Sequence, residues 1–360
     1  MKHWLLLSCL LTALMTQAVL GHHSFSAHFD MASRIELRGT IVDFKLRSPH
    51  SSLIIDGRSY VDGEPQEDSD QRWEVESMAS AGMRRMGVTP ESFPTGAEII
   101  VIGNPNREPG YRFINSSNFI LADGTSFSFR DSDPYAAADE SVLAGASGID
   151  RLAGRWSSPG GFGSGMLLPL SERGEAVWNA YDPKLSPANT CEPMNFPDMF
   201  NAPYLADLRI EDNTVVIYNQ AWEVERRIPL DGQPVRPRLD GLFGVVQGRM
   251  EGDDIVLESG GYIPSRWGLG SATQKLGGGK DMPSSARKNL IERFSVSADG
   301  NTLTYAYTIT DPIYLTDPYS DSIDLSRVAE DTPLYEYNCE LEAAAMFSRT
   351  PGDPSLRVGE

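Results

Sequence analysis

Residues 289–311 read NLIERFSVSADGNTLTYAYTITD. Two runs of alternating apolar and polar residues flank Ser-Ala-Asp-Gly-Asn-Thr, whose Asp, Gly and Asn suit the backbone angles of a tight reversal. The second run places Leu303, Tyr305, Tyr307 and Ile309 on one face, at the period of two that a half-buried strand requires. This stretch is a β-hairpin, and the same pattern recurs through the second half of the chain. YLADLRIEDNTVVIYNQ (204–220), EVERRIPLDG (223–232) and FGVVQGRMEGDDIVLES (243–259) are alternating runs broken by EDNT and EGDD turns. GMLLPL (165–170) is a shorter apolar run upstream of them. Successive hairpins at this spacing predict an antiparallel β-barrel of lipocalin-like kind, or a sandwich, over 151–350. A barrel of about eight or more strands could hold a small ligand in its interior.

The first half carries a different order. IELRGTIVDFKL (35–46) puts Ile35, Leu37, Gly39 and Ile41 on one face, and the strands SSLIIDG (51–57) and RWEVES (72–77) follow. SMASAGMRRMGV (77–88) reads as a helix ending at Gly87, before the strands AEIIVIGNPN (97–106) and YRFINSSNFILADGTSFSF (111–129). Three strands, a helix and two or more strands is the order of an OB-like small barrel, here over 22–130. In that fold the loop joining the first two strands belongs to the binding face, and here it carries His50. A small barrel that binds nothing stays open as the alternative. DSDPYAAADESVLAGASGID (131–150) is a linker by composition, and 351–360 is a tail. Gly-rich GLGSATQKLGGGKDMPSS (268–285) lacks the G-K-[ST] of a phosphate loop and reads as a long loop, a flap over the second barrel's mouth.

Residues 1–21 have the form of a signal peptide: Lys2 and His3, then the apolar WLLLSCLLTALM (4–15), then TQAVLG. Cleavage after Gly21 would start the mature chain at His22. Leu7 is a poor lipobox residue for Cys9, which disfavours a lipoprotein. The apolar run is too short to span a bilayer and no other approaches the needed length, so the expectation is a periplasmic or secreted protein without stable membrane insertion. The net charge of −19 argues against nucleic acid and against anionic lipid surfaces. Once Cys9 leaves with the signal, Cys191 and Cys339 remain, and two cysteines in an exported chain most simply form one disulfide. A thiolate metal site would want a closer spacing.

The five histidines are His3, His22, His23, His28 and His50, so the mature chain concentrates all its imidazole at one end. An N-terminal His22 offers its α-amine and ring Nδ1 as a chelate, and a third nitrogen from His50 or His28 would complete a histidine brace. His23 is a possible fourth ligand or supporting contact. Nitrogen donors in that arrangement favour copper among first-row divalents. The competing reading is a frayed polar terminus.

HHSFSAHFD (22–30), followed by ELRGTIVDFKLRSPHS (36–51), resembles a widespread family of secreted bacterial proteins of unknown function. Its members open their mature chains with His-His-Ser and carry Asn-Pro-His after the first strand. Ser48 stands here for the Asn, with Pro49 and His50 matched. The back half is similar to a domain often found in such proteins, through RRIPLDG (226–232), GRMEGDDIVLES (248–259), IERFSVSADGNTLTYAYTITDP (291–312) and YEYNCE (335–340). Met250 replaces that pattern's Trp, and Ser284-Ser285 its His-Ser. The resemblance implies two β domains and no assigned activity.

Enzymatic readings have less to stand on. GSGM (163–166) is no nucleophile elbow, and the acidic pairs are what the composition predicts. Glu292-Arg293 reads as a solvated or intramolecular ion pair, and Asp311-Pro312 as turn punctuation. Three functions stay open. The first is a binding protein with a copper-type metal site and a ligand-sized barrel. The second is a secreted enzyme, either a copper oxidase or one using acid/base chemistry in the second barrel. The third is an interaction module.

Overall fold

The computed structural model describes residues 28–67, 69–108, 110–129, 148–158, 167–274 and 277–348. Its first unit is a closed barrel of β1 (Ile35–Lys45), β2 (Ser51–Val61), β3 (Gln71–Ser77), β4 (Glu98–Pro105) and β5 (Phe113–Leu121). β1 pairs with both β2 and β4, β3 runs parallel to β5, and β4 pairs with β5, which closes the ring. The helix α1 (Ser80–Arg85) lies between β3 and β4, within the stretch that the sequence reads as helical. Ile35, Leu37 and Ile41 point inward, as the alternation requires, and pack with Leu53, Ile55, Val75, Val101 and Phe119. Gly39 lies opposite Gly57 where β1 and β2 press together: a Cβ on Gly39 would lie 2.3 Å from the Asp56 carbonyl oxygen. Glycine is needed there for backbone approach.

The second unit is a nearly closed antiparallel sheet of nine strands. In chain order they are β6 (Gly154–Ser157), β7 (Leu205–Glu211), β8 (Thr214–Asn219), β9 (Val224–Pro229), β10 (Val245–Glu251), β11 (Asp254–Gly260), β12 (Asn289–Val296), β13 (Thr302–Thr310) and β14 (Tyr319–Val328). The spatial order is β9-β8-β7-β6-β14-β13-β12-β11-β10. Residues after β9 turn back onto β10, with bridges Asp231 to Arg249 and Val235 to Val246 spanning the remaining seam. The EDNT, EGDD and SADGNT turns each join neighbouring antiparallel strands. Leu303, Tyr305, Tyr307 and Ile309 are all buried in the core, together with Trp156, Trp267, Phe196, Phe200 and Phe294. Side chains fill that interior.

Two sequence expectations are corrected. The Gly-rich stretch is a two-stranded antiparallel ladder, Ser265–Gln274 with Gly277–Ser284, and not a loop. Its base is anchored by buried Trp267, Leu269 and Met282, so packing at three positions overrides glycine's poor strand propensity. Glu292 and Arg293 do not pair with each other, because successive strand residues face opposite sides of the sheet. Arg293 reaches outward to Asp254 at 2.9 Å, whereas Glu292 faces inward and takes both ends of the Arg226 guanidinium at 2.8 and 2.9 Å.

The last described residues leave the second barrel and strap across the first. Cys339 bridges in parallel with Ser48, and the Glu340 amide donates to the Ser48 carbonyl at 2.9 Å. Further on, Met346 is buried against Phe29 and Phe113. Cys191 and Cys339 form the expected disulfide, with Cα atoms 6.0 Å apart.

Candidate functional site

The β1–β2 loop is held from three directions. The Ser80 amide, at the start of α1, donates to the Arg47 carbonyl at 2.9 Å, and the Ser48 and Ser80 hydroxyls lie 2.9 Å apart. Ser51 Oγ returns to the Arg47 carbonyl at 3.1 Å. The strap then seals the outer side: the buried Arg47 guanidinium meets the Glu342 carboxylate at 3.2 Å. With both neighbours of the Ser48–Pro49 turn fixed, His50 has a defined place.

His50 Nδ1 lies 2.9 Å from Glu76 Oε1. Glu76 comes from the end of β3 and is only 2% exposed. Its other oxygen accepts from Asn115 Nδ2, and Ser116 Oγ donates to its backbone carbonyl at 2.8 Å. A carboxylate that accepts from Nδ1–H puts the neutral ring's lone pair on Nε2 and fixes the plane of the ring.

This pair lines a cavity of about 200 Å³ between the two barrels. Pro49, His50, Glu76, Met78, Ala79 and Gly82 come from the first barrel. The second barrel and the strap supply Met194, Tyr204, Trp222 and Tyr337 among the facing walls. The aromatic wall is continuous: Tyr337 packs edge-on to Tyr204 at 5.2 Å between centroids and against Trp222 at 5.1 Å. Burial pushes the Tyr337 hydroxyl well above its ordinary pKa, so it stays neutral near pH 7. Cys191, Trp222, Glu223 and Asn338, in or beside this wall, all hold positive φ between 43° and 56°. Non-glycine residues reach that region at a cost of order 1–3 kcal/mol each, and such strain gathers at ligand clamps.

The predicted metal residues are distributed unevenly. His22 and His23 lie outside the described residues. His50 is in the cavity wall, on the loop where the sequence put it. His28 is not part of that wall; its backbone carbonyl accepts from the Arg107 amide at 2.7 Å. Burial first, and then the Lys184 ammonium, lower the pKa of His28. A neutral ring suits metal ligation, whereas the neighbouring cation works against a bound metal ion. Among the described residues no group of three His, Cys, Asp or Glu side chains is placed to hold a metal.

Sequence reasoning missed Glu76, the aromatic wall and a charged cluster inside the second barrel. There, fully buried Glu292 binds Arg226 and accepts from the Tyr305 hydroxyl at 2.9 Å. Lys288 Nζ donates to the carbonyls of Phe196 at 2.6 Å and Gly268 at 2.5 Å. Burial pushes its ammonium down to about 7. All four side chains are closed off from solvent and none lines the junction cavity. A buried lysine bound to two main-chain oxygens in a packed core braces the fold.

The architecture defines a two-barrel β protein with an aromatic cavity at the junction and one carboxylate-oriented histidine in its wall. Residues 10–112 match a family model described as a family of unknown function (DUF6152). The matched span contains His50, Glu76, Met78 and α1, and ends just before β5. No curated protein matches the chain.

Proposed function

We propose that this chain is an exported, periplasmic or secreted binding protein whose site lies at the junction cavity, with a copper-type metal bound between His50 and the N-terminal histidine arm. The observation that carries the reading is the His50–Glu76 pair: a buried carboxylate 2.9 Å from Nδ1 orients the imidazole, and with Nδ1–H as the donor the lone pair of a neutral ring is on Nε2. That is the support a metal-ligating histidine receives, and it raises the basicity of the ligand. His22 would contribute amine and ring, and His23 a further contact. His28 would serve as an alternative third nitrogen, at an electrostatic disadvantage beside Lys184. A small ligand would sit at the junction, whose aromatic wall and volume suit a compact molecule.

The test uses the full processed chain beginning at His22 and the same chain with one extra residue ahead of it. Cu(II) competition titrations should give one tight equivalent for the native terminus and a much weaker one for the extended form, because the extra residue removes the α-amine donor. Equal affinity in the two forms would refute an N-terminal chelate. Absence of Cu(II) binding in both would refute the metal reading.

A further inference from the structure

The junction cavity holds a second set of donors that the nitrogen ligands do not use. We propose that it is a cuprous-ion site in which Met78 and Met194 supply thioether sulfurs beside His50; this rests on the reading of His50 as a metal ligand. Met78 follows β3 in the first barrel and Met194 belongs to the second, and both line the cavity wall with His50. The set is therefore complete only when the barrels are docked.

Three observations favour a soft monovalent ion. Thioethers select Cu(I) over the harder divalent ions, and imidazole is compatible with it. The Met78 side chain lies over Gly82 on α1: a Cβ there would sit 3.0 Å from Sδ and 3.1 Å from Cε. Glycine at 82, itself a cavity residue, leaves room for sulfur at the wall where a larger residue would displace it. Finally, the remaining wall is alanine, proline and aromatic rings, with Tyr337 held neutral by burial. Removing charge from water into such surroundings grows costly with the size of the charge, so one positive charge facing the Glu76-backed imidazole is favoured over two. Methionine is also an ordinary filler of irregular cores, and Met194 alone would be read so. Two methionines from separate barrels, converging with the oriented histidine on one cavity, need more than filling.

The experiment is an anaerobic Cu(I) titration of the full processed chain against bicinchoninate, comparing the native protein with the double variant M78L/M194L. Leucine keeps the volume close, so the fold should survive; matching thermal unfolding and an unchanged far-UV circular dichroism spectrum would establish that it does. The expected result is one Cu(I) per chain in the native protein, a loss of at least 100-fold in Cu(I) affinity in the variant, and sulfur neighbours of copper in the X-ray absorption of the native complex. Cu(I) held equally by the variant, or held without sulfur neighbours, overturns the proposal. If the native chain binds Cu(II) but not Cu(I), this proposal alone falls. If it binds neither, His50 is no metal ligand and the reading under it falls as well.

Discussion

Replacing Cys191 and Cys339 with serine should loosen the cavity before it unfolds the barrels. The bond closes a loop with a sequence separation of 148, for which chain entropy alone gives about 5 kcal/mol. The realised loss should be smaller, about 2–5 kcal/mol, because the strap has other attachments. Glu340 is bonded to Ser48, Gln220 Nε2 donates to the Tyr335 carbonyl at 2.6 Å, and Arg47 meets Glu342. Tyr337 and Ala188, close to the two cysteines in sequence, both line the cavity. The double serine variant should therefore lose amide protection first at Tyr337, Cys339→Ser and Glu340, and bind metal more weakly. Urea unfolding gives the free energy and hydrogen exchange gives the location. Equal unfolding free energies, or protection lost in β7–β9 with the strap unchanged, would refute this account of what the disulfide ties together.

Glu76→Gln keeps the shape of the carboxylate but weakens its hold on Nδ1, and should lower Cu(II) affinity about 10–100-fold with little change in the unfolding midpoint. Glu292→Ala strands the buried Arg226 guanidinium and should cost about 3–5 kcal/mol in denaturant unfolding; a loss under 1 kcal/mol would mean that water reaches the pair. For Lys288 the sign follows from its lowered pKa. Between about 7 in the fold and its ordinary 10.5, the unfolded chain binds the extra proton, so stability rises as pH is raised through that window. The Lys288→Met variant should show a flatter rise between pH 7 and 9.5, before the buried tyrosines titrate.

What the sequence makes legible is what local chemistry decides. Asp-Gly-Asn and Asp-Asn turns between alternating runs specify hairpins whatever surrounds them, and the inward face of β13 follows from parity alone. The disulfide follows from a count of two. Glu292 could have been found: in LIERF it shares parity with Leu290 and Phe294, and a carboxylate on a buried face requires a partner. Only its partner, Arg226 from a strand on the far side of the barrel, is invisible before folding. The Gly-rich ladder misled because its strand character comes from Trp267, Leu269 and Met282 entering the core, not from propensity. The cavity lay furthest from reach. Tyr204, Trp222 and Tyr337 are scattered through the chain, and nothing local says that they meet His50 until two barrels dock and the strap crosses between them.

The central claim is that His50, oriented by Glu76, ligates the metal. Pulsed electron paramagnetic resonance of the Cu(II)-loaded, processed chain counts coordinated imidazoles directly. His50→Gln should remove one imidazole from the copper sphere and weaken binding, while His28→Gln should leave the count unchanged. An unchanged imidazole count in His50→Gln, with copper still bound, would contradict it.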